Sequence, residues 1–395
     1  MFKTAVALTA LAVADGFRAG PMRMSALEVH NGKHLSAERK AELVATTQAI
    51  ATPGKGITAC DEGPGTVGAR FEAVGIENTE ENRRVYRQML FEAEDAEKYL
   101  SGAILDIETV FQKSTTSGEP FPEMLKKRGI VPGVKPHLKV YTLPGTGGDT
   151  VMQGLDSLAA RCADYYAAGC RFTKWRSPLE IDVSEGRPTA LAIEANMKDL
   201  ARFALISQDE GLVPIVEPDI SLKGVHDLET AVNVNVAVQS MLYKAMLEHG
   251  VFMEGSVLKT NMVNPGRDCP TSFTVEEIAE ANLQVARRCM PMAIPTINYL
   301  SGGQSLEDAC ARLSAMNKAK TNEPWNFSFS WSAAIQLPVL DLCKGKGGEF
   351  PMAEMEALYV KALKSGSDAA KGEYEWAAGE GAHAGKEGLP DLQKA

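Results

Sequence analysis

Lys259 lies inside "EGSVLKTNMV" (254–263), a run otherwise small or apolar that ends at the "NPG" turn of 264–266. So short an apolar run predicts a strand buried on both faces. A lysine there either snorkels or pairs, or it is kept poorly solvated so that its amine can react. An ordinary lysine titrates near ~10.4, and burial or a neighbouring cation favours the neutral amine. Lys174 in "RFTKWR" is a candidate for that cation, and Glu217 in "VPIVEP" for a proton shuttle during dehydration of a carbinolamine. The imine so formed is an electron sink, which allows the carbon–carbon bond beside a former carbonyl to break. Asp61, closing "GITACD", would take the hydroxyl proton on the departing side.

Other polar residues close apolar runs in the same way. They are Lys135, Arg176, Asp219, the sequence Ser301-Gly302-Gly303, and Ser330. "SGGQSLEDACARL" also puts two glycines just before a helix signal, with Ser305 as N-cap and Asp308 three residues on. Glycine amides and a helix N-terminus make an anion site, and phosphate fits it.

The elements that must position these residues follow from the pattern. Eight apolar runs, 56–61, 102–108, 130–135, 171–176, 213–218, 255–260, 295–303 and 326–332, start about 30 to 45 residues apart. Helix signals lie between them. In "FTVEEIAEANLQVARR", Thr274 and Glu277 form a capping box and Phe273 can staple onto Ile278. Strand alternating with helix predicts parallel pairing, and eight units over roughly 280 residues suit a (β/α)8 barrel. Strand ends of such a barrel share one mouth, where active sites sit. Residues 36–50 read as an extra amphipathic helix, and the Gly-, Ala- and Glu-rich end from 365 as a mobile tail.

Composition is that of an ordinary globular chain: 45% hydrophobic and 23% charged among 395 residues. A net charge of −10 without a long basic run gives no nucleic-acid face. The seven cysteines lack C-x-x-C spacing and the six histidines lack H-x-x-H or H-E-x-x-H, so neither a disulfide framework nor a metal site is expected.

Taken together, "PGKGITACDEGPGT", "GIENTEENRRVYRQML", "FTKWR", "VPIVEPDI", "EGSVLKTNMVNPG" and "LSGGQS" resemble the class I fructose-bisphosphate aldolases, from about Ser36 to Tyr374. The resemblance implies a (β/α)8 homotetramer that reversibly cleaves fructose 1,6-bisphosphate into dihydroxyacetone phosphate and glyceraldehyde 3-phosphate, in glycolysis or plastid carbon fixation. No cofactor or metal is implied. By matching position Lys259 is the Schiff-base lysine, with Glu217, Asp61, Lys174 and Asp219 as catalytic partners. Arg70, Thr66, Lys135, Arg176, Ser301, Gly302, Gly303 and Ser330 are implied to hold substrate. Four departures stand out: Thr260 follows the lysine, Ser332-Ala333 replace a glycine and the phosphate-binding arginine, Gly63 replaces a serine, and no terminal tyrosine is present. A related sugar-phosphate aldolase or transaldolase, sedoheptulose bisphosphate being one substrate, and a weakly active scaffold on the same barrel remain open.

The expected division is a leader over 1–35, the barrel over 36–364 and the tail over 365–395. In the leader, Lys3 precedes an apolar run (5–14) too short to span a bilayer, and Arg18 and Arg23 follow without acids. That order resembles the bipartite leader of plastids reached through the secretory route, with the cytosol as the alternative compartment.

Overall fold

Eight parallel strands close into a barrel in the computed structural model, which describes residues 31–385. Ten strands occur among the described residues. They are β1 (Gly56–Cys60), β2 (Leu100–Leu105), β3 (Val131–Val134), β4 (Lys139–Thr142), β5 (Thr150–Gln153), β6 (Phe172–Leu179), β7 (Val213–Ile220), β8 (Val257–Thr260), β9 (Thr296–Tyr299) and β10 (Asn326–Trp331). The barrel order is β1-β10-β9-β8-β7-β6-β3-β2, and each of the eight strands overlaps one of the apolar runs of the sequence. β2 starts two residues earlier than its run, and β6 and β7 continue two to three residues further. The β4–β5 pair is an antiparallel hairpin inserted between β3 and β6, and was not anticipated.

Burial on both faces explains the continuous apolar runs. β1, β2, β7, β8 and β9 are buried throughout. Close approach is built in at Gly133, where a Cβ would lie 2.2 Å from the Phe172 ring. The extra helix is Ala37–Ile50, capped by Ser36, whose hydroxyl accepts from the Arg39 amide. Leu43 and Ile50 join Ile57, Ile104, Phe172, Val213, Ile215 and Val257 in one apolar cluster, so this helix stops the end of the barrel entered by the strand N-termini. The opposite mouth is left for chemistry.

The capping box of Thr274 and Glu277 forms, and Phe273 and Ile278 share an apolar cluster. Two expected boundaries shift. Residues 31–35 already pack on the barrel: Asn31 donates to Glu254 at 3.1 Å and Leu35 is buried. The rest of the expected leader, 1–30, lies outside the described residues. The helix Met352–Lys371 runs straight through Ser365, so no break falls there. Beyond it His383 is buried and bridges to Phe273, while Arg312 donates to the Gly381 carbonyl at 2.7 Å. Residues 386–395 lie outside the described residues. No described helix is long and apolar enough to cross a membrane.

Candidate active site

Lys259 is the third residue of β8, and its register with Asn298 of β9 places it one step before the strand ends. Its amine is buried and lies 3.4 Å from Glu217 Oε1. Glu217 is carried by β7, where it pairs in register with Arg176 of β6. Its other oxygen is 2.5 Å from Lys174 Nζ but lacks hydrogen-bond geometry, which leaves a lone pair for a proton. Lys174 donates to Asp61 Oδ2 at 3.1 Å. A chain of four side chains therefore runs Asp61–Lys174–Glu217–Lys259.

Burial acts on all of these groups. It lowers Lys174 to about 7, with Asp61 opposing and Lys259 assisting the shift. Burial also holds Lys259 below its ordinary value, although Asp61 and Asp219 pull the other way. For Asp61, burial alone would favour the acid, but Lys174, Lys259 and Lys135 keep its carboxyl well below the usual range. The arrangement thus supplies an amine that loses its proton easily beside a carboxylate that stays ionised.

The remaining cations are committed to acids. Lys135 donates to Asp106 Oδ2 at 3.1 Å and to the Asp61 carbonyl. Arg176 Nε donates to Asp219 Oδ2 at 2.6 Å, so that carboxylate orients the guanidinium. After β9, Gly302 and Gly303 take φ of +59° and +82°, a backbone glycine adopts without strain. They lead into the helix Leu306–Ala319, whose N-cap Ser305 accepts from the Asp308 amide. After β1, the helix Pro64–Glu72 brings Thr66 to the rim and Arg70 inward. Ser330 on β10 is buried with its hydroxyl unpartnered.

A cavity of about 330 Å³ gathers all thirteen residues singled out from the sequence. Sequence reasoning missed Glu62, His137 and Leu300 among its walls, and Asp106 behind Lys135, and it marked Ser332 only as a departure from the family pattern. Both ring nitrogens of His137 are buried without partners, and burial followed by Lys174 and Lys135 lowers its pKa well below the ordinary range. It is a neutral imidazole among cations. Trp175, by contrast, is fully buried against Phe203 and serves packing.

Comparison with known proteins shows the family to which this barrel belongs. Residues 42–389 match the family model described as Glycolytic, fructose-bisphosphate aldolase class-I. The chain is 46% identical over 333 residues to fructose-bisphosphate aldolase 5, cytosolic, of Arabidopsis thaliana, covering 84% of this chain and 91% of that one. It is 44% identical to human fructose-bisphosphate aldolase C over 88% of this chain and 94% of the relative. Among solved structures, fructose-bisphosphate aldolase of Plasmodium falciparum, in complex with TRAP and a small molecule inhibitor, superposes with a TM-score of 0.84. That protein is 39% identical, and the match covers 87% of this chain and 98% of the other.

Proposed function

The chain belongs to the class I fructose-bisphosphate aldolase family, and from that premise we propose that it works through an imine on Lys259. The reaction is the reversible cleavage of fructose 1,6-bisphosphate to dihydroxyacetone phosphate and glyceraldehyde 3-phosphate. The observation that carries the residue roles is the buried Lys259 amine, 3.4 Å from Glu217 and linked through Lys174 to Asp61.

The neutral amine attacks C2 of the ketose. Glu217 delivers a proton to the carbinolamine hydroxyl, water departs, and an iminium remains. The C3–C4 bonding pair then moves into the iminium while Asp61 accepts the C4 hydroxyl proton, and the aldehyde leaves. The proton gained by Asp61 passes by way of Lys174 to Glu217, which delivers it to C3 of the enamine. Water then adds to the iminium, and hydrolysis releases dihydroxyacetone phosphate, the Lys259 amine and a proton that resets Glu217 as the acid. Lys174 keeps Asp61 ionised for its step. Asp219 acts by orienting Arg176. The amides of Gly302 and Gly303, with Ser301 and Ser330, hold one phosphate, while Lys135, Thr66, Arg70 and Arg176 hold the rest of the substrate. The test is cleavage of fructose 1,6-bisphosphate in EDTA: turnover should persist, and loss that zinc restores would remove the imine mechanism.

A longer ketose bisphosphate is a second reading within the same chemistry. Ala333, Gly302, Gly303, Arg176 and Asp219 line both the main cavity and an adjoining one that reaches Lys223, so no large side chain at 333 separates them. The ratio of kcat/KM for sedoheptulose 1,7-bisphosphate and fructose 1,6-bisphosphate decides between the two. The homotetramer is likewise a proposal, checked by light scattering.

We also propose import into a plastid, supported by the apolar run at 5–14 followed by Arg18 and Arg23. Relatives named cytosolic match 84% and 86% of this chain, and the family model begins at residue 42. Mass spectrometry of native protein should place the first residue after Gly16 and before the packed Asn31; an intact Met1 would place the protein in the cytosol.

A further inference from the structure

Every cation lining the cavity is near a carboxylate, and of the three pairs outside the proton-transfer chain, Arg70–Glu62 is the one that also holds a hydroxyl. Arg70 Nη2 is 3.1 Å from Glu62 Oε1, and Arg70 Nη1 donates to Ser332 Oγ at 3.1 Å. The Ser332 hydroxyl donates in turn to the same Glu62 oxygen. Arg70 Nε is buried with no partner, so the guanidinium has a donor left over. All three residues line the cavity that holds Lys259, next to Ala333, which brings no charge of its own.

We propose that Glu62 is a built-in competitor for Arg70, which an incoming substrate phosphate must displace, and that the Ser332 hydroxyl passes from Glu62 to the phosphate in the same exchange. The two residues then set how tightly the site holds phosphorylated sugars. This rests on the aldolase reading of the cavity and goes further by naming what controls its phosphate affinity.

Three observations favour Glu62 as the acid that yields. Its side chain is 13% exposed, against 10% for Asp61 and Asp219, 8% for Asp106 and 4% for Glu217, so its release into water costs least. It takes no part in the Asp61–Lys174–Glu217–Lys259 chain. A phosphate dianion also carries more charge than a carboxylate and can take two guanidinium donors side by side. Arg70 and Ser332 are already within reach of one oxygen site, so the exchange needs Glu62 to swing and little else.

Calorimetry with inorganic phosphate reads the affinity without needing turnover. Glu62→Gln should bind phosphate about five- to tenfold more tightly than the wild type, and Glu62→Asp, one methylene shorter, should shift the same way by less. In the Arg70→Gln background the gain from Glu62→Gln should vanish. In the Glu62→Gln background, where the hydroxyl no longer serves a carboxylate, Ser332→Gly should weaken phosphate binding about threefold. The KM for fructose 1,6-bisphosphate should follow the phosphate affinities. Unchanged or weaker binding in both Glu62 variants overturns the proposal. So does a gain that persists in the Arg70→Gln background, because Glu62 would then act by bare repulsion. Imine trapping in the wild-type protein tests the aldolase reading separately, so failure of one is distinguishable from failure of the other.

Discussion

Replacing Glu217 by glutamine separates the two jobs the site asks of its carboxylates. With Lys259 neutral, Lys135, Lys174 and Arg176 face the four carboxylates of Asp61, Asp106, Glu217 and Asp219, beside the self-contained Arg70–Glu62 pair. That excess of negative charge pulls a proton back onto Lys259. Glu217→Gln balances the count and removes the carboxylate 3.4 Å from the amine. An opposite charge at such range shifts a pKa by about 1 to 3 units, or roughly 1.4 to 4 kcal/mol, so the Lys259 amine should lose its proton at lower pH. The extent of imine reached at equilibrium should therefore survive, with its acid limb moved down, although it is reached more slowly without the proton that Glu217 gives the carbinolamine hydroxyl. Turnover should not, because a general acid–base is typically worth about 10²–10⁴ in rate and glutamine cannot replace it. The assay pairs steady-state cleavage with borohydride trapping of dihydroxyacetone phosphate across the acid range. Trapping lost in proportion to turnover, or an acid limb that moves up, would refute the charge argument.

Further outcomes are expected from the same geometry. Lys259→Met should fold, because methionine keeps the packing volume, and lose cleavage by about three orders of magnitude or more; retention above about a tenth would remove Lys259 as nucleophile. Ala333→Arg should lower the KM for fructose 1,6-bisphosphate by about 1 to 2 kcal/mol, and less for fructose 1-phosphate; an unchanged bisphosphate constant would mean that another cation, Arg70 foremost, already serves that phosphate. Burial lowers Lys174 to about 7 in the folded protein from the 10.5 of an ordinary lysine, so the unfolded chain binds more protons between those values and the lysine's stability cost is relieved as pH rises through them. Thermal unfolding should show a smaller rise over that window in Lys174→Met than in wild type, and equal slopes would contradict the depressed pKa.

The barrel was legible because its strands are buried on both faces and so read as unbroken apolar runs between capped helices. The hairpin was not, because Lys139–Thr142 is exposed throughout and has no apolar alternation to notice. Composition misled at the other end. Gly366 reads as a helix breaker, yet a Cβ there would lie 3.1 Å from the Phe329 ring, so the glycine lets the helix Met352–Lys371 seat against the barrel. In the site, the lysines and acids betrayed themselves as charges ending apolar runs. Glu62 and His137 lie just beyond strand ends in polar or small surroundings, where no apolar run ends on them. Only Glu62, directly after Asp61, offered a signal: a second acid on the turn that carries the first.

The central claim is that the buried Lys259 amine, rather than its neighbour Lys174, bonds to the substrate. Wild-type protein incubated with dihydroxyacetone phosphate, reduced with borohydride, digested and mapped by mass spectrometry should carry the reduced adduct on the peptide containing Lys259. An adduct on Lys174, or no adduct in protein that still cleaves the sugar, would contradict it.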